Sequence, residues 1–187
     1  MKRKLLIVSV VAICIAILAA GSLAYFTAEG KAHNVITTGG VEIALEEWAD
    51  EDMTIPYSKE SVGVMPGTKV TKIVQVKNTG ASDAWVRVKV KKDIKLGQGI
   101  ETDKPQEDLV RLNVDTTDWT LDGDYYYYTK PLKPGETTTP ILRSVEFKPA
   151  MGNEYQNAQI SVEVSAQAVQ TANNGKTVME AAGWPTT

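Results

Sequence analysis

Two side chains that carry much of protein chemistry occur once each in this chain: Cys14 is the only cysteine and His33 the only histidine. A zinc helix with paired histidines, a multi-histidine metal site and a cluster of thiolates are therefore excluded by composition. A Ser-His-Asp triad would have to recruit His33, which lies in a polar stretch where a solvated imidazole is the simpler reading. No glycine-rich phosphate loop leads into a helical pattern. These absences predict a chain without enzymatic activity.

Oxygen ligands are better supplied. Asp115, Asp118, Asp122 and Asp124 form a carboxylate-rich stretch of the kind that can hold calcium, a hard cation that takes oxygen donors. Their spacing does not match a 12-residue calcium loop, and two of them already have a turn role. They are weak calcium candidates, and otherwise no cofactor is expected. Glu46, Glu47, Asp50, Glu51 and Asp52 are a second acidic run, read most simply as a wet loop. Tyr125–Tyr128 would place two rings on each face of a strand. The inward pair reads as core; the outward pair, with Trp85, is a candidate glycan or protein contact surface.

The remaining chemistry is a cleavage that this chain would undergo. Lys2, Arg3 and Lys4 precede an almost unbroken apolar run from Leu5, which ends in Gly21-Ser22-Leu23-Ala24. A basic start, an apolar stretch and a small-residue exit are the three parts of a secretory signal. Ser22 and Ala24 offer small side chains to a signal peptidase, placing the expected cut at the Ala24–Tyr25 bond. Two alternatives stay open. The apolar run reaches Phe26, long enough to span a hydrocarbon core, so an uncleaved anchor would also fit. Lipidation at Cys14 is disfavoured by the branched Ile13 before it and the apolar chain after it.

Residues 1–24 are thus expected to form an N-terminal signal helix and residues 25–187 one exported domain, large enough for a core of its own. The full chain carries 20 basic and 23 acidic residues; cleavage removes three of the bases, leaving 17 against 23, or −6. That balance argues against nucleic acid and anionic membrane surfaces as partners. A membrane would be met only through the N-terminal segment before cleavage. With its one cysteine in the apolar run, the exported part has no disulfide and must be stabilised by its core alone.

Strand signals position everything else. Ala84, Val86, Val88 and Val90 alternate with Trp85, Arg87, Lys89 and Lys91, and Ile160 to Ala168 alternates likewise. Val70–Val76 is a β-branched run between Pro66-Gly67 and Asn78-Thr79-Gly80, and Val41–Leu45 a shorter alternating strand. Trp119–Tyr128 reads as a hairpin, with Asp122-Gly123 as the central pair of a type I′ turn. Leu109–Val114 and Ile141–Phe147 are further strand candidates in a chain with no long 3.6-residue stripe. The pattern predicts an all-β fold, a single antiparallel, jelly-roll-like β-sandwich. Its core should draw on Val70, Ile73, Val74, Val86, Val88, Ile160, Val162 and Val164.

Several of these segments are shared with a known family. Leu23-Ala24-Tyr25-Phe26-Thr27 resembles the junction cut by SipW-type signal peptidases. Asn34–Ile43 resembles the head of TasA/camelysin-like exported proteins of Gram-positive bacteria. Val64-Met65-Pro66-Gly67 and Val76–Val88 are similar to their central motif, and Val162–Gln170 to their last core strand. The resemblance implies a cell-surface or biofilm-matrix protein that associates with itself or with related matrix subunits. It also implies that residues 25–38 act as a donor strand, so Tyr25, Phe26, Thr27, Val35 and Ile36 become candidate partner-binding residues. A non-polymerising adhesion module is one alternative. A camelysin-like surface metalloprotease is another, against which the missing zinc ligands weigh. The C-terminus, Gly183-Trp184-Pro185-Thr186-Thr187, lacks a Leu-Pro-x-Thr-Gly sorting signal, so covalent wall attachment there is not expected.

Overall fold

The computed structural model describes residues 26–37, 40–58, 62–97 and 104–185. These residues form ten strands: β1 (Phe26–Thr37), β2 (Ile43–Trp48), β3 (Val62–Val64), β4 (Lys69–Asn78), β5 (Ala84–Lys95), β6 (Val110–Val114), β7 (Trp119–Asp122), β8 (Tyr125–Tyr128), β9 (Leu142–Phe147) and β10 (Gln159–Gln170). The only helical turns among the described residues are short 3-10 turns at Glu107–Leu109 and Asn153–Tyr155. No helix among them is long and apolar enough to cross a membrane. The strands form a six-stranded sheet in the order β3-β1-β10-β5-β8-β7 and a four-stranded sheet in the order β2-β4-β9-β6.

Each alternating stretch sends its apolar side chains between the two sheets. Ala84, Val86 and Val88 of β5 and Ile160, Val162, Val164, Ala166 and Ala168 of β10 are at most 3% exposed and belong to one continuous apolar cluster. From the facing sheet β4 adds Val74 and Val76 and β9 adds Leu142, Val145 and Phe147. Seven of the eight expected core residues are buried, and Val70 packs half-buried against the cluster. Ile73 is buried outside the main cluster, opposite Trp48.

The antiparallel sandwich has one parallel pair: β1 runs alongside β10 from Thr27↔Gln159 to Thr37↔Ala168, with a register shift between Lys31 and Asn34. Every other strand pairing among the described residues is antiparallel.

Two local expectations change. The hairpin turn sits one residue later than expected, because Asp122 pairs with Tyr125 and leaves Gly123-Asp124 as the loop. Gly123 has φ of 56° and Asp124 is not left-handed, so glycine takes the first central position, the pattern of a type II′ turn. The second β-strand starts later than Val41 and runs to Trp48, which brings Glu46 and Glu47 out of the expected loop and into the sheet. Thr137–Thr139 runs beside β4 without forming a strand: Thr137 bridges Lys77, and Thr138 donates from its backbone N–H to the Val76 carbonyl at 2.9 Å.

Asn78 explains why Asn-Thr-Gly ends β4 so sharply. Fully buried, it donates from Nδ2 to the carbonyls of Ser82 and Leu132, both at 2.8 Å, and its Oδ1 accepts from Gly80 N–H. Gly80 is needed there: a Cβ would lie 2.7 Å from the backbone nitrogen of Glu42.

Candidate functional site

The expected cleavage residues Ser22, Ala24 and Tyr25, and Cys14 with them, lie outside the described residues. Four of the five candidate partner-binding residues fall on β1. Phe26 pairs with Val64, Thr27 with both Gly63 and Gln159, Val35 with Ala166 and Ile36 with Gln167. The segment expected to be donated therefore lies within this chain's own six-stranded sheet, between the edge strand β3 and β10. His33 falls within the register shift.

The four aspartates are not brought together. Asp115 accepts from Thr117 N–H at 2.9 Å and faces the Arg143 guanidinium at 3.4 Å, and Asp118 pairs with Lys130 at 2.7 Å. Asp124 pairs with Lys89 at 2.7 Å, and Asp122 is exposed on the hairpin. Among the described residues no group of three or more His, Cys, Asp or Glu is placed to hold a metal ion. The backbone bond from Thr117, with Arg143 adding, keeps the Asp115 carboxyl below its ordinary value.

The tyrosines divide as strand geometry requires. Tyr128 is buried and packs on Trp119 with ring centroids 5.0 Å apart, and Tyr126 lies half-buried against the same core. Outside, the Arg87 guanidinium stands over the Tyr125 ring at 4.0 Å and the Trp184 ring at 4.6 Å. Its Nε donates to Gln167 Oε1 at 2.8 Å and a terminal nitrogen to the Tyr127 hydroxyl at 3.1 Å. Trp184 reaches this face because residues 171–184 fold back across the sheet. Asn174 fastens that strap: its carbonyl accepts from Trp85 Nε1, and its side chain bonds both Gln170 and Ala182. Trp85, Val169 and Val178 form a small second core beneath it. The outward aromatic surface exists, but the chain's own C-terminal segment covers part of it.

The structure also holds a buried charge pair. Lys72 and Glu47 face each other at 3.1 Å with side chains 1% and 8% exposed, and the Lys72 ammonium stands 3.8 Å above the Tyr57 ring. Burial pushes the Lys72 amine below its ordinary value, opposed by the Glu47 charge, and burial pushes the Tyr57 phenol up. The sequence signal was a lysine on the inward-facing parity of a β-branched run, with Glu47 on the neighbouring strand.

Both outer sides of the sandwich carry recognisable surface features. On the β5–β6 side, a cleft of about 640 Å³ lies between Lys92, Val110, Leu112 and Tyr126, and an adjoining one of about 560 Å³ lies between Val90, Leu121 and Tyr126. They open there because the β7–β8 hairpin pairs with β5 only at Arg87 and Val88. On the β2 side, the 49–55 loop projects with Met53 and Ile55 exposed. The Asp50 carboxylate fixes its shape by accepting from the backbone of Thr54 and Ile55 and from the Thr54 hydroxyl. No protein-family model, curated protein or solved structure matches this chain.

Proposed function

We propose that this chain is an exported structural subunit of an extracellular fibre or biofilm matrix, joined to its neighbours by donation of the N-terminal strand. The observation that carries the reading is the position of β1. Among the described residues it is the first strand and makes the one parallel pairing, and it fills the place between β3 and β10. Withdrawing it would leave the inner edge of a twelve-residue strand, β10, without main-chain partners. Exposed edges of that length recruit another strand. A neighbour's copy of the same segment would restore the same hydrogen bonds in the same register, the logic of β-strand addition. Cleavage at Ala24–Tyr25 would free the segment from the membrane, and so would time assembly to follow export.

The aromatic–guanidinium face supports a second reading, a non-polymerising surface module that binds through Tyr125, Arg87 and Trp184. Electron microscopy separates the two. The exported chain should form filaments of regular repeat, and a chain lacking residues 25–38 should not. A synthetic peptide of residues 25–38 added to that truncated chain should raise its melting temperature without restoring filaments. Filaments of unchanged repeat from the truncated chain would sink strand donation.

A further inference from the structure

We propose a second, independent contact between copies, in which the rigid 49–55 loop of one molecule seats in the cleft between β5 and β6 of the next. It deepens the assembly reading above and rests on copies of this chain associating. The two surfaces lie on opposite sides of the sandwich. In the four-stranded sheet β2, which leads into the loop, is one edge and β6, which lines the cleft, is the other. Three strand spacings, about 14 Å, separate those edges. A contact from one edge to the opposite edge joins two different patches, and such a head-to-tail contact propagates as a chain of molecules wherever the rotation between neighbours does not close it into a ring.

The surfaces complement each other in charge and in apolar character. The loop presents Glu51 and Asp52 beside Met53 and Ile55, which are 39% and 59% exposed. The cleft has Val90, Leu112 and Tyr126 along its floor, with Leu121 55% exposed at its lip. Three carboxylates line the cleft and each meets a lysine: Glu107 with Lys92 at 3.0 Å, Asp124 with Lys89 at 2.7 Å and Asp108 with Lys148 at 3.4 Å. Lys91 and Arg111, both exposed, stand around it as well, so cations outnumber carboxylates there. Acidic rim groups of the loop would meet cations, while two exposed aliphatic side chains would cover an apolar floor. Little ordering would be needed on the loop side. The Asp50 bonds and the left-handed Met53, with φ of 54°, already hold the loop in one shape.

Cysteine trapping tests this directly. The chain is purified as a bacterium exports it, with Cys14 replaced by serine so that introduced thiols are the only ones. Ile55→Cys and Leu121→Cys chains, mixed and oxidised, should give a mixed 55–121 disulfide dimer. One chain carrying both changes should give a ladder of multimers on a non-reducing gel. Raising salt from about 50 mM to about 500 mM should slow the trapping several-fold, because the Debye length shrinks. Lys91→Glu with Arg111→Glu should slow it at least about tenfold. Glu51→Lys with Asp52→Lys in the partner molecule should recover most of that loss. Symmetric 55–55 and 121–121 products without the mixed dimer would overturn the proposal, as would trapping indifferent to the charge reversal. A ladder without filaments would leave this contact standing and remove strand donation. Filaments that depend on residues 25–38, without a ladder, would do the reverse.

Discussion

At the scale of single residues, the Lys72–Glu47 pair is where energetics are most sharply divided. Each charge compensates the desolvation of the other, so removing one leaves its partner buried and uncompensated. Glu47→Leu should destabilise by about 3–5 kcal/mol in chemical unfolding. The double change Glu47→Leu with Lys72→Met should recover most of that loss, because an apolar pair fits the same dry site. Three carboxylates outside the core set the acid limit. Asp50, Asp115 and Asp124 are held below their ordinary 3.8 by backbone N–H groups or by Lys89. In the unfolded chain they take up protons near 3.8, so as pH falls the unfolded state binds protons first. The stability they add is therefore present above about pH 4 and is lost as pH falls through their folded values. Urea midpoints should be level between about pH 7 and pH 5 and should drop below about pH 4. Asp115→Asn should make that drop shallower.

At the scale of elements, the inner strands carry the fold. Val88 and Val162 are 0% and 3% exposed on the two central strands of the six-stranded sheet. Replacing either by alanine should cost about 1–3 kcal/mol, read as a shift in unfolding midpoint with unchanged slope. A near-zero shift would contradict their place in the core. These strands were legible because one face of each is dry, and a dry face writes period-two alternation into the chain. Elsewhere two constraints hid the pattern. β5 continues to Lys95 through Lys91-Lys92-Asp93, where Lys92 lays its ammonium on the carbonyls of Glu107 and Val110 instead of breaking the strand. Glu47 reads as loop by its charge and lies in a strand because Lys72 waits across the sheet. Of the site candidates, the tyrosine faces followed from strand parity. The aspartates did not converge, since closeness along a hairpin places carboxylates on different faces and beside different cations. The C-terminal strap gave no periodic signal at all, because it is held by the amide of Asn174 and not by a ladder.

For the whole molecule, stability rests on non-covalent packing between two sheets. A chain with one cysteine can close no internal disulfide. The protein should therefore melt at the same temperature with and without reductant. A fall of more than a few degrees with reductant would point to a disulfide between molecules that retain Cys14, the one cysteine. Cohesion between the sheets comes from one continuous cluster, so unfolding should be a single transition by fluorescence and by circular dichroism alike.

The pairing of β1 with β10 has a consequence in time as well as in space. If the chain is exported as proposed, Thr27 would leave the cell near the front of the chain and its partner Gln159 near the back. Contacts so far apart in sequence form late and slowly, because a long loop must close before they return any energy. A chain threading outward would keep its first strand unclaimed until almost all of it had crossed. During that interval any molecule already outside could meet the free strand before the chain's own tenth strand arrives. Order of synthesis, as much as affinity, would then decide which molecule receives it.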